Sequence, residues 1–180
     1  MSGYRAFLSE DSDNYKYELR YYHNHKRWHD NLVDANNPIK DVANWSEEIK
    51  YLNTHNDDIS NDIKSLPNNT GGIYVFYVKG LNISFFENYI LYIGRCKFTQ
   101  NQNIRKRAKE YYTDTRDLIV EMFSRWKEHL YYRYYADIDN ERIEKNEIQL
   151  IRAILPQYNE VIPDKIEIQQ TVPAFNDHII

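Results

Sequence analysis

From Ile49 onward the apolar positions fall at three- and four-residue steps, Ile49, Leu52, Ile59, Ile63 and Leu66, with Asn56 interrupting the stripe. This spacing predicts a helix from about Ser46 to Ser65. An apolar stripe on a helix needs a covering surface, either the domain that follows, a second copy or another protein. The run Leu66-Pro67-Asn68-Asn69-Thr70-Gly71-Gly72 then reads as a loop. Beyond it the pattern changes to strand composition: Ile73 to Lys79, then Tyr89 to Arg95, with Gly80 to Asn88 as an insertion or wide hairpin between them. A polar loop, Lys97 to Asn103, precedes a short basic helix over Ile104 to Tyr112. Helical spacing returns in Arg116 to Leu130, where Ile119, Met122, Phe123, Trp126 and Leu130 share one side. Tyr131 to Asp137 reads as a third strand, and Glu141 to Leu155 as a helix that directs Ile143, Leu150, Ile151 and Ile154 inward.

The order after the N-terminal helical extension is therefore β-β-α-α-β-α. Three strands cannot close into a barrel, so the expected fold is α+β: a small three-stranded antiparallel sheet flanked by helices. Residues 1–70 form the extension with its one amphipathic helix, 71–160 the main domain, and 161–180 a C-terminal tail. The first part is rich in Asn, Asp, His and Tyr, and irregular structure is expected to about Pro38.

At 180 residues the chain is long enough to bury a core without a disulfide or metal staple. The single Cys96 has no intrachain partner. No stretch has the make-up of a signal peptide or the length of a membrane span, so a soluble, cytoplasmic protein with no membrane contact is expected.

Charge changes the picture once its distribution is considered. The 23 basic and 27 acidic residues leave a net −4, but residues 71 to 109 hold 7 bases against 1 acid, a local +6. Arg95, Lys97, Arg105, Lys106, Arg107 and Lys109 fall between residues 95 and 109 with no acid among them. Such a concentration can meet phosphates while the rest of the surface stays acidic, although a solvated helix face would look the same.

Hydrolysis of a phosphodiester needs a group that deprotonates water, a cation to offset charge on the phosphate, and alignment of both. Tyr74 and Tyr92 lie near the same edge of two strands if those strands form a hairpin, and a nearby cation would ease ionisation of a phenol. Arg107 and Tyr111, four residues apart, project from one helix face, where a guanidinium can clamp a phosphate oxygen. Arg105 rivals Arg107 but points away from Tyr111. Glu147 lies on the helix face between Ile143 and Leu150/Ile151, where an unpaired carboxylate is costly, which makes it the expected metal ligand. Glu144, one turn earlier, is its rival. One carboxylate is a sparse ligand set, so hydrated Mg²⁺, with Mn²⁺ tolerated, suits it better than Zn²⁺.

Gly72-Ile73-Tyr74 and Tyr92-Ile93-Gly94, followed by Lys106-Arg107-Ala108-Lys109-Glu110-Tyr111 and by the spacing Glu147-x3-Ile151-x4-Pro156-x2-Asn159, resemble in that order the motifs of the GIY-YIG nuclease family. The resemblance covers about residues 70 to 160. It implies Tyr74 as general base, Tyr92 as a holder of the nucleophilic water, Arg107 and Tyr111 as phosphate ligands, Glu147 as the ligand of one divalent metal, and Asn159 as a buttress. Arg95, Lys97, Arg105, Lys106 and Lys109 would add nucleic-acid contacts. The 17 residues between Tyr74 and Tyr92 exceed the compact hairpin usual in the family and resemble its restriction-enzyme branch.

The expected function is a Mg²⁺-dependent endonuclease acting on DNA in restriction or another defence, as a homodimer when both strands are cut. Two other readings stand beside it: an inactive nuclease fold that binds nucleic acid or protein, and a nuclease subunit directed, to DNA or RNA, by a partner docked on the 46–66 helix. Weaker patterns are His23-x-His25-x3-His29 as a metal cluster, the aromatic and basic run Arg20 to Trp28 as a nucleic-acid contact, and Cys96 as a thiol activated by Arg95.

Overall fold

The computed structural model describes residue 33 and residues 36–79 and 88–161. The expected insertion at 80–87, the histidines and bases of residues 20–29, and the tail beyond residue 161 lie outside the described residues. The strands are β1 (Ile49–Lys50), β2 (Gly71–Lys79), β3 (Asn88–Cys96) and β4 (Leu130–Asp137). The helices are α1 (Asn61–Lys64), α2 (Ile104–Glu110), α3 (Asp117–Trp126) and α4 (Asn140–Ile154). The fold is α+β, and the strands form one antiparallel sheet in the order β1-β4-β2-β3. Among the described residues no helix is long and apolar enough to cross a membrane.

The sheet has four strands where three were expected, and the fourth replaces the first half of the expected 46–65 helix. Trp45 bridges Tyr135, the Ser46 N–H donates to the Tyr134 carbonyl at 2.8 Å, and Ile49 and Lys50 pair with Tyr132 and Tyr131. This satisfies the edge of β4 that β2 leaves open. The chain then turns back, with Leu52 bridging Ile59. The Asn53 side chain accepts the N–H groups of His55 and Asp57 at 3.1 and 3.3 Å, and Asn56 takes a left-handed φ of 56°. Asn and Asp in the 53–58 run supply turn chemistry that overrides the helical spacing. Only α1 is helical, started by the Ser60 hydroxyl on the Ile63 N–H at 3.3 Å. Leu52, Ile59, Ile63 and Leu66 are nevertheless all buried against the sheet. The stripe is thus covered within the chain, and the expected 46–66 docking helix for a partner is absent.

Side-chain alternation along the strands builds a core on each face. Tyr74, Phe76, Val78, Leu130 and Tyr132 face α2 and α3, where Ile104, Ala108, Ile119 and Met122 are buried. Ile73, Val75, Tyr77 and Ile93 face α4, where Ile143 and Ile151 are buried. β2 is central and buried along all but its last residue, which accounts for its nearly continuous apolar sequence. Gly72 has φ +141°, and a Cβ there would fall 1.9 Å from the Tyr135 carbonyl oxygen, so no other residue fits. α2 starts where the Asn103 side chain accepts the Lys106 N–H at 3.0 Å, and the buried Tyr51 hydroxyl fastens its far end by donating to the Ala108 carbonyl at 2.7 Å.

Candidate functional site

Four of the side chains singled out from the sequence meet on the α2 side of the sheet. Tyr74 from β2, Tyr92 from β3, and Arg107 and Tyr111 from α2 and the turn that follows it form one hydrogen-bonded cluster. The Tyr74 and Tyr111 phenol oxygens are 2.6 Å apart, and the Tyr111 hydroxyl donates to the Tyr92 oxygen at 3.1 Å. Arg107 Nε donates to Tyr74 at 3.1 Å and its Nη2 to Tyr111 at 3.3 Å. The guanidinium also lies 4.9 Å from the Tyr111 ring centroid.

Local geometry explains the convergence. Tyr74 pairs with Gly94 across β2 and β3, and a Cβ on Gly94 would sit 2.5 Å from the Tyr74 oxygen. The phenol therefore passes over Gly94 to reach Tyr111. Tyr132 stacks on Tyr74 with ring centroids 5.7 Å apart, and Tyr111 meets it nearly edge-on at 5.6 Å.

The phenols differ in exposure. Tyr74 has no exposed surface and Tyr111 is 1% exposed, whereas Tyr92 is only partly buried. Burial pushes the Tyr74 phenol well above its ordinary range, assisted by its tyrosine neighbours and opposed by Arg107. Tyr111 is pushed up for the same first reason. For Arg107, burial works against the charge, but Tyr74, Tyr111 and Glu110 outweigh it and keep the guanidinium protonated. The sequence reading missed Glu110, which pairs with Arg107 at 3.0 Å and accepts from Gln102 at 3.1 Å. The i,i+3 spacing of Arg107 and Glu110 on a helix was the available signal.

Glu147 and Asn159 come to the neighbouring edge of β3. In the sheet order β3 has no strand on its outer side. α4 ends at Leu155 in a left-handed conformation, φ 52°, and Pro156 then carries the chain back along β3. Tyr158 N–H donates to the Leu91 carbonyl at 3.0 Å. The Asn159 side chain accepts the Ile93 N–H at 2.9 Å and donates to the Ile93 carbonyl at 2.7 Å. At the next outward-facing position, two residues on, the Glu147 carboxylate meets Arg95, whose Nη1 is 2.5 Å from Oε2. Burial raises the Glu147 carboxyl above its usual range, and the Arg95 side chain and main-chain N–H offset part of that rise. Arg95 also reaches Glu144 at 3.0 Å, as does Lys97. Gly94, bare of side chain, separates this edge from the phenol cluster.

The basic run is divided among different tasks. Arg95 and Lys97 are paired with the acids of α4, and Arg105 Nε donates to the Leu66 carbonyl, a contact within the fold. Lys106 Nζ reaches the Asn101 carbonyl at 2.9 Å, and Lys109 is exposed. Cys96 is buried, its thiol pushed by burial to about 11, the opposite direction from the activation by Arg95 that was the weaker reading of this position. Among the described residues no group of three or more His, Cys, Asp or Glu is placed to hold a metal. Glu147 alone would be the protein ligand, with Oε1 left by its contact to Arg95, a donor set that suits a hydrated hard cation completed by substrate oxygens. Comparison with models of known protein families, with curated proteins and with solved structures found no match.

Proposed function

We propose that the protein is a Mg²⁺-dependent endonuclease of the GIY-YIG kind, hydrolysing phosphodiester bonds in DNA, with restriction or another defence as its role. The observation that carries this reading is the convergence of Tyr74, Tyr92, Arg107 and Tyr111 into one hydrogen-bonded cluster, with Glu147 held by Arg95 on β3, the strand that carries Tyr92. The chemistry follows from exposure. Tyr92 is the one phenol of the cluster that is not buried, so it holds the attacking water by a hydrogen bond, and the water's proton passes to solvent as the new bond to phosphorus forms. Tyr74, which the family resemblance implies as general base, is enclosed and keeps its proton, so it acts by its hydrogen bond to Tyr111, which in turn donates to Tyr92. Arg107 keeps N–H groups on Nη1 and Nη2 beyond those given to Tyr111 and Glu110, and these take a non-bridging phosphate oxygen. Its charge, half desolvated, offsets the charge that grows on the phosphate. Glu147 would hold the magnesium ion, which when bound would supply Lewis-acid charge at the phosphate. Arg95 keeps the Glu147 side chain in place, and Asn159 fixes the strand that carries Tyr92.

One observation favours a second reading, a nuclease fold kept for binding alone: Glu147 and Arg107 are both already paired, with Arg95 and Glu110. Incubation with plasmid DNA, linear DNA and RNA, in Mg²⁺ or EDTA, separates the two. The endonuclease reading expects Mg²⁺-dependent cleavage that Glu147→Gln abolishes while binding persists. Binding without cleavage by the wild-type protein would leave the second reading.

A further inference from the structure

The cation beside Arg107 that the sequence motifs do not include is Arg116. It follows the turn Tyr111–Thr113 and stands at the start of α3. Its guanidinium lies 5.6 Å from the centroid of the Tyr111 ring, the ring that Arg107 meets at 4.9 Å. Two guanidinium groups therefore share one aromatic ring of the phenol cluster. Like charges so placed repel, and each is held by one acid, Arg107 by Glu110 and Arg116 by Asp114.

The pairing of Arg116 is side-on. Nε lies 3.0 and 3.1 Å from the two Asp114 oxygens and Nη2 lies 2.7 Å from Oδ2, while Asp114 also accepts the Arg116 main-chain N–H at 3.0 Å. This grip fixes the plane of the guanidinium and leaves Nη1 directed away from the acid. The Arg116 side chain is 49% exposed, against 13% for Asp114, so the acid is enclosed and the cation faces solvent. By contrast Arg125, further along α3, is paired with Glu121 one turn away and is the less exposed partner, 23% against 38%.

We propose that Arg116 forms a second phosphate-binding position, taking a backbone phosphate of the bound nucleic-acid strand next to the one that faces Arg107. The proposal rests on the endonuclease reading for the identity of the first phosphate. Its chemistry is that of a guanidinium stiffened by an aromatic ring and an enclosed carboxylate, which loses little freedom on taking up a phosphate oxygen. Arg116 then sets the path of the strand across Tyr111, and Asp114 tunes its grip.

The test is fluorescence anisotropy of short labelled DNA and RNA oligonucleotides, in EDTA, over a series of salt concentrations, with wild type and the variants R116A, R116K, D114N and R125A. R116A should weaken binding about tenfold at low salt and reduce the slope of log affinity against log salt by about 1. R116K should restore the slope, D114N should tighten binding by releasing the charge, and R125A should match wild type. Wild type that binds while R116A keeps the same affinity and slope overturns the second position and leaves the endonuclease reading intact. Wild type that binds neither DNA nor RNA overturns both. Should R116A fail to fold, R116Q, which keeps much of the side chain and loses its charge, decides: a slope reduced by about 1 supports the proposal, and wild-type affinity and slope overturn it.

Discussion

Raising the pH should unfold this protein steeply, because four of its tyrosines are sealed in the core. Tyr51, Tyr74, Tyr111 and Tyr132 are each 1% exposed or less, and burial, as the largest cause, keeps each phenol protonated well above its ordinary range. In the unfolded chain a phenol loses its proton near ~10. The sign follows: above that pH the unfolded state binds fewer protons than the folded state, so stability, complete below ~pH 10, is lost as pH rises toward the folded values. Each phenol contributes up to about 1.4 kcal/mol per pH unit, so the four together remove about 5 kcal/mol per unit, about 6 by pH 11 and about 11 by pH 12. Against a total of roughly 5–15 kcal/mol this places alkaline unfolding at ~pH 11–13. Urea unfolding followed by circular dichroism at stepped pH, with phenolate absorbance recorded in parallel, measures both the slope and the protons released. Tyr74→Phe should lower the slope by about 1.4 kcal/mol per unit. If every phenol titrates at its ordinary value in protein that keeps its native signal, the enclosed cluster described above is wrong.

Three further outcomes are expected. Gly94→Ala puts a Cβ 2.5 Å from the Tyr74 oxygen, so it should cost ~1–3 kcal/mol and lower Tm by about 2–12 °C, with Tyr74→Leu in the same chain recovering part of the loss; an unchanged melt would refute the close approach. Asn159→Ala removes both side-chain bonds to Ile93, so the Ile93 amide should exchange faster and the fold weaken by ~1–3 kcal/mol, whereas unaltered protection would show that another group caps β3. In single-turnover cleavage, Arg107→Ala should slow the reaction by ~10²-fold or more, whereas Arg105→Ala should act on the melting temperature, because its Nε is bonded to the Leu66 carbonyl. The reverse order would mean that Arg105 faces the phosphate.

The residues of the candidate site were legible in sequence where the needed information is local. Arg107 and Tyr111 share a face because four residues make about one helical turn, and the glycines of the two tripeptides mark places where the backbone or a ring must come close. Helical and strand periods likewise located β2, β3, β4, α2, α3 and α4 to within two residues at most ends, since each has one consistently apolar face. The 46–65 segment was misread because the same apolar stripe serves a helix or a strand, turn and short helix, and the Asn/Asp turn of residues 53–58 together with the open edge of β4 chose between them.

What tertiary structure alone decided is the state of the charges and phenols. No spacing shows that Glu147 meets Arg95, 52 residues away in sequence, or that Arg107 and Arg116 share the Tyr111 ring. Nor does any pattern reveal that Tyr74 is sealed while Tyr92 stays in reach of water, since both are tyrosines in equivalent tripeptides. Periodicity carries one-dimensional information about which face of an element is apolar. Desolvation and ion pairing depend on what other elements bring to that face, and these set which phenol can meet water and which cation is free to bind phosphate.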